Sequence, residues 1–394
     1  MSTWLLKPAE LTLKGENRKN FENALIRNLK RMLNREAAAV HDPKSSPASV
    51  TIRGGRYYVH CAESEKFIVE KVLSRLIGIS GWAQTNVCEK TIDSVLQACV
   101  KEGKKIFDNG MHTFKIEARR TDKSFPLDSY QLRCEGGRVV CESVDGLKVD
   151  IHNPHDIIRI EIRDKAYIYS GGKKGLGGLP VGSAGRGLLL LSGGIDSPVA
   201  GFLMACRGMS IDAIHFHTYP YTSLEAKEKV IKLAGILGSY CMGIRLYIIS
   251  FTEVQARIKE RSPPPWSTVL MRMAMMEAGE KTALKIKSKC LISGESLSQV
   301  ASQTIENLTC IQSRIKIPVL RPLIGTDKIN IIRNAQSIGT YDTSILPYED
   351  CCVLFTPHHP ILRGSNTQAN ELYETLELGP LIEKALENHE LAEF

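Results

Sequence analysis

The densest chemical signal in the sequence is the run Ser192-Gly193-Gly194-Ile195-Asp196-Ser197-Pro198, placed directly after the apolar stretch Leu188–Leu191. Two glycines let backbone N–H groups approach an anion and let the chain turn without a Cβ in the way. Pro198 suits the first turn of a helix and Gly208 the position just past its end, and a helix N-terminus bordered by serine hydroxyls binds phosphate. Asp196, a carboxylate among phosphates, points to magnesium; the plainer reading is a helix cap. No Gly-Lys-Ser/Thr follows and the glycine spacing is not Gly-x-Gly-x-x-Gly, which excludes Walker and dinucleotide loops.

A second chemistry lies in the adjacent pair Cys351-Cys352 after Glu349-Asp350, a source of a sulfur nucleophile. Acidic neighbours do not lower a thiol pKa, so activation has to come from elsewhere in the fold. Consecutive Cα atoms sit ~3.8 Å apart, short of the ~4.4–6.8 Å common in disulfides, so a bridge within the pair would be strained. A third group is cationic: Lys115, Arg119, Arg120 and Lys123. These read either as a solvated strand edge with its loop or as phosphate-backbone contacts, and the basic start of the chain favours the second. Residues 1–35 hold eight Lys or Arg against three Glu, within a formal net charge of +8. Shape recognition of a folded RNA fits better than base reading, because deep RNA grooves exclude side chains.

The elements that must position these groups divide the chain into three expected parts: 1–62, 63–172 and 173–394. The first reads strand, helix, strand. Phe21, Leu25, Leu29 and Leu33 make a helical stripe, 41–49 a loop, and Val50–Cys61 a hairpin around Gly54-Gly55. The second has helices near 64–76 and 91–108 and strand-like runs at 112–119, 138–142 and 157–169. Ser170–Pro180, rich in glycine, reads as a hinge or as a substrate clamp. From Gly187 onward, short apolar runs (Leu188–Leu191, Ile211–Phe216, Leu246–Ile249, Cys290–Ile292) alternate with helical stretches, the pattern of a parallel sheet covered by helices. Thr222 with Glu225 forms a capping box for one of those helices. The tail from Gln368 reads as helical.

Length of 394 residues calls for more than one core. No apolar run approaches the ~20 residues of a membrane span, and the start is too short in apolar residues for a secretory signal. Eleven cysteines without any Cys-x-x-Cys argue against a disulfide framework and common zinc spacings, and a reducing cytosol fits. His358-His359 has no ligand cluster beside it and reads as loop surface. No metal ligands are assigned, although folding could still gather three cysteines around an iron–sulfur cluster.

Ser192–Ser197 matches the Ser-Gly-Gly-x-Asp-Ser loop of enzymes that cleave ATP to AMP and pyrophosphate. Around it the chain resembles the tRNA 4-thiouridine synthetase (ThiI) family over most of its length. The likeness is carried by Leu179-Pro180-Val181-Gly182, His215-Phe216-His217 and Pro220-Tyr221-Thr222-Ser223. It continues through Gly294–Thr304, Arg321-Pro322-Leu323, Ile338–Tyr341 and Pro347–Cys352. Phe114–Phe125 resembles the RNA-binding THUMP module. The resemblance implies an α/β fold: a doubly wound parallel-sheet ATP-pyrophosphatase domain preceded by α+β ferredoxin-like and THUMP domains. It implies nucleotide contacts at Leu190, Leu191, Ser192, Gly193, Gly194, Asp196, Ser197, His215, Phe216, Arg272, Gly294 and Gln303. Read without it, Leu190, Leu191 and Phe216 are buried strand, and Arg272 is the polar side of a Met-rich core helix.

The implied activity adenylates a uridine O4, expected at position 8 of tRNA, and replaces the oxygen with sulfur from a persulfide on Cys351, with ATP and Mg2+ as cofactors. A cysteine desulfurase is the implied sulfur donor; a parallel role in thiamine biosynthesis would add a sulfur-carrier protein of thiazole synthesis. A cytoplasmic location and room for a homodimer go with this. The chain departs from the family in carrying only some forty residues after Cys352, too few for the rhodanese domain of some members, and in reading Pro8-Ala9-Glu10 where Tyr-Gly-Glu is usual. Two other readings remain: an amidating or ligating enzyme of the same ATP-pyrophosphatase class, and a non-catalytic tRNA-binding protein.

Overall fold

The computed structural model describes residues 1–40, 48–53, 55–348, 357 and 359–394, with no side-chain description for Thr12 and Val40. Residues 41–47 of the expected loop, Gly54, Glu349 to Cys352 and His358 lie outside the described residues. The rest falls into two compact units, Met1–Pro180 and Val181–Phe394.

The first unit begins with β1 (Ser2–Pro8), α1 (Arg18–Val40), β2 (Ser49–Arg53), β3 (Arg56–Cys61), α2 (Lys66–Arg75) and β4 (Ile79–Cys88). That βαββαβ order is the ferredoxin-like arrangement. Leu25, Leu29 and Leu33 bury one stripe of α1 while Arg27, Lys30 and Arg31 stay exposed on other faces. There follow α3 (Ile92–Asp108), β5 (Thr113–Arg120), α4 (Ser129–Ser143), β6 (Lys148–Val149), β7 (Asp156–Ile162), β8 (Ala166–Tyr169) and β9 (Lys173–Lys174). Strand β4 serves two neighbourhoods: its first part pairs with β1, and Asn86 to Cys88 pair with β8. One sheet of order β2-β3-β1-β4-β8-β7-β5-β6 results, with β9 also on β4.

Residues 138–142, expected as a strand, lie inside α4. The β-branched pair Val139-Val140 suggested a strand, but the capping box of Asp128 with Gln131 starts a helix, and Leu132, Gly136 and Val140 recur every four residues on its buried face. At Gly136 a Cβ would stand 2.7 Å from Ile116 Cδ1 in β5, so the glycine lets α4 pack closely on the sheet. The glycine strip after β8 is laid along β4: Gly175 N–H donates to the Ser80 carbonyl (3.0 Å) and Gly177 N–H to that of Ile79 (2.8 Å).

In the second unit the strands are β10 (Arg186–Leu190), β11 (Ser210–His217), β12 (Arg245–Ser250), β13 (Leu291–Ile292), β14 (Val319–Leu320) and β15 (Glu390–Glu393). Between them run α5 (Asp196–Cys206), α6 (Leu224–Cys241), α7 (Thr252–Arg261), α8 (Ser267–Lys285), α9 (Ile305–Gln312), α10 (Lys328–Ser337), α11 (Tyr341–Ser344), α12 (Asn366–Thr375) and α13 (Gly379–Glu387). The sheet order is β14-β13-β10-β11-β12-β15, parallel throughout except for β15. The chain winds from β10 to β11 and β12 on one side and returns to β13 and β14 on the other. The β10/β13 boundary is therefore the topological switch point, where open α/β sheets bind ligands.

Helix α6 is capped by Ser223, whose hydroxyl accepts from Ala226 N–H, and not by Thr222. The Thr222 hydroxyl is engaged one turn back, accepting from Thr218 N–H at 3.1 Å. Helix α8 is buried along Met271, Met273, Met275 and Met276, the Met-rich core helix expected.

Candidate nucleotide-binding site

Strand β10 ends at Leu190, and the next turn carries the chain through Leu191–Ile195 into α5. The loop is cross-braced internally. Ser192 N–H donates to Ser197 Oγ (2.9 Å), Ser197 Oγ donates to the Ser192 carbonyl (3.2 Å), and Gly194 N–H donates to Ser192 Oγ (3.3 Å). Bracing of this kind holds the turn in one shape.

The first residues after β13 press against this turn. A Cβ on Gly294 would lie 2.7 Å from Ser197 N and 2.8 Å from Ser197 Cα, so only glycine lets the two segments meet. Gly294 thus makes room for the N-terminus of α5 and also lines the pocket beside it.

These segments enclose an open-mouthed pocket of about 210 Å³. All the expected nucleotide positions except Gly193 line it. Its apolar bed comes from Leu190, Ile214, Phe216, Met275 and Met276. His215 Nδ1 is 3.0 Å from the Leu191 carbonyl, which ties the ends of β10 and β11 together. Gln303 is 5% exposed, and its Oε1 has no hydrogen-bond partner among the described residues. A buried acceptor left open on a pocket wall is suited to a ligand N–H.

Two features were not read from the sequence. Asp196 Oδ1 lies 2.6 Å from Lys328 Nζ, at the start of α10, and its Oδ2 accepts from Gln299 Nε2 at 2.9 Å. Below the pocket, Glu295 is 3% exposed and takes Arg272 on Oε1 (2.7 Å) and both Arg321 (2.7 Å) and Ser293 (2.8 Å) on Oε2. A carboxylate bracketed by two guanidinium groups fixes Arg272 against the pocket wall. Removing one partner from such a buried cluster costs about 3–5 kcal/mol.

The family profile described as Thiamine biosynthesis protein (ThiI) matches residues 182–378, a THUMP domain profile matches 89–170, and a ThiI ferredoxin-like domain profile matches 3–83. A probable tRNA sulfurtransferase from Treponema pallidum (strain Nichols) is 46% identical over 385 residues, 97% of this chain and 93% of that one. The chain belongs to the ThiI family. A second probable tRNA sulfurtransferase, from Thermoanaerobacter pseudethanolicus, is 42% identical and covers 95% of both chains. A crystal structure of a 4-thiouridine synthetase in complex with RNA and bound ATP superposes with a TM-score of 0.90 at 32% identity, with 100% of each chain covered. The ferredoxin-like, THUMP and doubly wound domains expected from the resemblance are those of this ThiI-family chain.

In this ThiI-family chain the expected RNA-binding residues do not share one surface. Strand alternation puts Lys115, Glu117 and Arg119 on the sheet face opposite Phe114 and Ile116, which pack in the core with α3 and α4. Arg119 is exposed there, and Lys115 pairs with Glu117 (3.1 Å). Arg120 has the parity of the core face, and its Nη1 donates to the carbonyls of Phe125 (2.6 Å) and Leu127 (3.1 Å). Lys123 is exposed in the loop thus pinned.

Across the register, Arg159 faces Glu117 and Tyr169 faces Arg159, so the open face continues over three strands. There Lys7, Trp82, Arg159, Tyr169, Lys173 and Lys174 line a groove of about 240 Å³. Lys7 Nζ lies 5.3 Å from the Tyr169 ring centre and Lys173 Nζ 4.9 Å from that of Trp82. Burial, and then the nearby Arg159 guanidinium, push the Lys7 ammonium below its ordinary pKa, a strain that a bound anion relieves.

The cysteine expected to carry sulfur, Cys351, and its neighbour Cys352 lie outside the described residues. Among the described ones, burial pushes the thiols of Cys61, Cys88, Cys99, Cys206, Cys241, Cys290 and Cys310 up, with Cys99 and Cys206 at about 12. Those are inert thiols at neutral pH. No group of three or more His, Cys, Asp or Glu among the described residues could hold a metal ion. No helix among them is long and apolar enough to cross a membrane.

Proposed function

We propose that the chain is an ATP-dependent tRNA sulfurtransferase that makes 4-thiouridine. The observation that carries this reading is the pocket at the β10/β13 switch point, where a glycine- and serine-rich turn, an apolar bed and an open buried acceptor converge. The bed of Phe216, Met275 and Met276 takes the adenine ring, and Gln303 Oε1 accepts from its exocyclic amine. The Ser192–Ser197 turn holds the phosphates, with Gly193 and the start of α5 supplying N–H groups. Arg272, fixed by Glu295, adds positive charge at the wall.

Asp196 fits a magnesium ion, because that ion takes one or two carboxylates and draws its other ligands from phosphate oxygens and water. When bound it would neutralise phosphate charge. Lys328 contributes a second cation beside the same carboxylate. The uridine O4 then attacks the α-phosphorus and pyrophosphate leaves. A persulfide on Cys351 attacks C4 and AMP departs with its oxygen; a second thiol then attacks Cys351 Sγ, forms a disulfide with it and releases the outer sulfur on C4 as thiouridine. Among the described residues of the second unit, burial pushes up every thiol, so none of them has the thiolate character the step needs. A cysteine desulfurase supplies the persulfide in a cytoplasmic setting, and the open cationic face of the first unit receives the RNA backbone.

The test is incubation of the full chain with unmodified tRNA, ATP, magnesium and a cysteine desulfurase, reading pyrophosphate and thiouridine together. Cys351→Ser should release pyrophosphate at near the wild-type rate and form no thiouridine. A variant that thiolates at the wild-type rate refutes the carrier role, and a wild-type chain that never releases pyrophosphate with tRNA refutes the whole reading.

A further inference from the structure

Gln303 puts a buried amide on the pocket wall, and a glutamine amide can offer a ligand either its oxygen or its NH2. Which end it offers depends on how firmly its backbone is held. Gln303 closes a single 3-10 turn, Ala301–Gln303, in the loop that follows Gly294. Bonds within the loop give it shape: Gln303 N–H donates to the Val300 carbonyl (2.9 Å), and Ser298 N–H donates to the Gln303 carbonyl (2.9 Å). The same loop carries Gln299, whose Nε2 donates to Asp196 Oδ2 at 2.9 Å. One loop thus supplies an amide to Asp196 and another to the pocket wall.

Asn307 ties this loop to helix α9. It is 0% exposed in the first turn of that helix, where its N–H donates to Thr304 Oγ1 at 3.3 Å. Its Nδ2 donates to the Ala301 carbonyl inside the Gln303 turn (2.8 Å) and to the Ile361 carbonyl (2.8 Å). Its Oδ1 accepts from Gly364 N–H at 3.1 Å. Both amide hydrogens and the oxygen are committed, so turning the amide over would break every one of these bonds. A buried polar group satisfied in this way specifies one arrangement of the segments it joins. Gly364 is fitted to the contact: a Cβ there would stand 2.9 Å from Asn307 Oδ1 and 3.2 Å from Trp266 Cζ3. Neither Asn307 nor Gly364 lines the pocket.

Adenine carries an amine at its 6-position, where hypoxanthine carries a carbonyl oxygen. An acceptor fixed in place takes a hydrogen bond from the first and opposes the second with a like lone pair. An amide free to turn over would serve both.

We propose that Asn307 is a positioning residue for base selection. By holding Ala301 it fixes the Gln303 turn with Oε1 toward the base, so the site takes 6-amino purines over 6-oxo purines. The inference rests on the functional reading above, which makes Gln303 the partner of the base.

The experiment measures the affinity of the full chain for ATP and for inosine triphosphate by calorimetry, with magnesium and without tRNA. Pyrophosphate release with tRNA is followed in parallel. Wild type should favour ATP by roughly five- to hundredfold, the range of one buried acceptor left without its partner. Asn307→Asp keeps the size of the side chain and the acceptor for Gly364 N–H but loses both donors. Gly364→Ala presses on Asn307 Oδ1 from outside the pocket. Both variants should lose most of the preference for ATP. An unfolded fraction lowers the calorimetric stoichiometry and not the ratio of the two affinities. A ratio that stays at the wild-type value therefore overturns the proposal, as does a wild type without preference or a loss shared equally by both nucleotides. In a Gln303→Ala background the preference is already gone, and Asn307→Asp should change the ratio no further. A further change there would mean that Asn307 acts by another route, and it too overturns the proposal. Should the ratio respond as stated while even wild type releases no pyrophosphate with tRNA, the sulfurtransferase reading falls and the positioning role stands. Release with an unmoved ratio keeps that reading and removes the role.

Discussion

In the second unit, the C-terminal ends of β10, β11 and β13 and one face of α8 enclose the nucleotide pocket. In the first unit, the sheet is covered by α3 and α4 on one side of its later half, while Lys115, Arg119, Arg159 and Lys7 spread over the other face. The pocket is concave, braced and built from backbone as much as from side chains. The open face is broad, and its chemistry is the charge of Lys7, Lys115, Arg119, Arg159, Lys173 and Lys174 on four separate strands. A pocket of the first kind fails when one atom is misplaced, whereas a surface of the second kind loses its grip by degrees.

The contrast breaks most visibly at Asp196. Asp196→Asn keeps the size of the side chain but removes the charge that Lys328 and an incoming magnesium ion would share. Pyrophosphate release should fall by about a hundredfold to a thousandfold, the scale of losing one charge-stabilising group, while tRNA affinity stays at the wild-type value. Combining it with Lys328→Met should cost far less than the product of the two single effects, because the pair acts as a unit. Equal losses of tRNA affinity and pyrophosphate release would show that the two regions do not divide the work.

Gly294→Ala sharpens the same point without touching a charge. The added methyl meets Ser197 N and Cα at 2.7–2.8 Å, backbone atoms that cannot swing aside. Helix α5 must shift, and a displacement near 1 Å at a reacting centre costs up to about a hundredfold. ATP affinity measured by calorimetry should drop while the tRNA-binding salt slope is unchanged.

This difference in construction also decides what could be read from the sequence. The Ser192–Ser197 turn was legible because its function depends on glycines and serines at fixed short spacing. Lys328 was not, since it meets Asp196 from 132 positions away across the fold. Glu295 stood inside a quoted motif, yet its partners Arg272 and Arg321 come from α8 and the end of β14, and no local pattern joins them. Strand β15 went unseen because Glu390–Glu393 pairs at a sheet edge with mostly exposed side chains and so shows no apolar alternation. In the first unit the helix α1 and the hairpin β2–β3 were plain from period and turn residues. Its cationic face was only half visible, because which lysines and arginines share a side depends on the strand register, and Arg159 and Lys173 gain their meaning only beside Glu117 and Trp82.

Arg119 and Arg120 give the smallest effect and the finest test, since neighbours in a strand point to opposite faces. Arg119 is exposed on the open face. Arg119→Ala should weaken tRNA binding several-fold at physiological salt and reduce the slope of log affinity against log salt by about one, as for one lost phosphate contact. Melting temperature should barely change. Arg120 is engaged inward, with its guanidinium on the carbonyls of Phe125 and Leu127. Arg120→Ala should therefore cost about 1–3 kcal/mol of stability, the value of hydrogen bonds to a charged donor left unmade. It should loosen the loop that carries Lys123, while the salt slope keeps its wild-type value. Thermal melts and salt-dependent filter binding on the two variants read these quantities independently. A flattened slope in Arg120→Ala without any loss of stability would place that side chain on the RNA instead, and the division of the sheet into a packed face and a binding face would have to be redrawn from that residue outward.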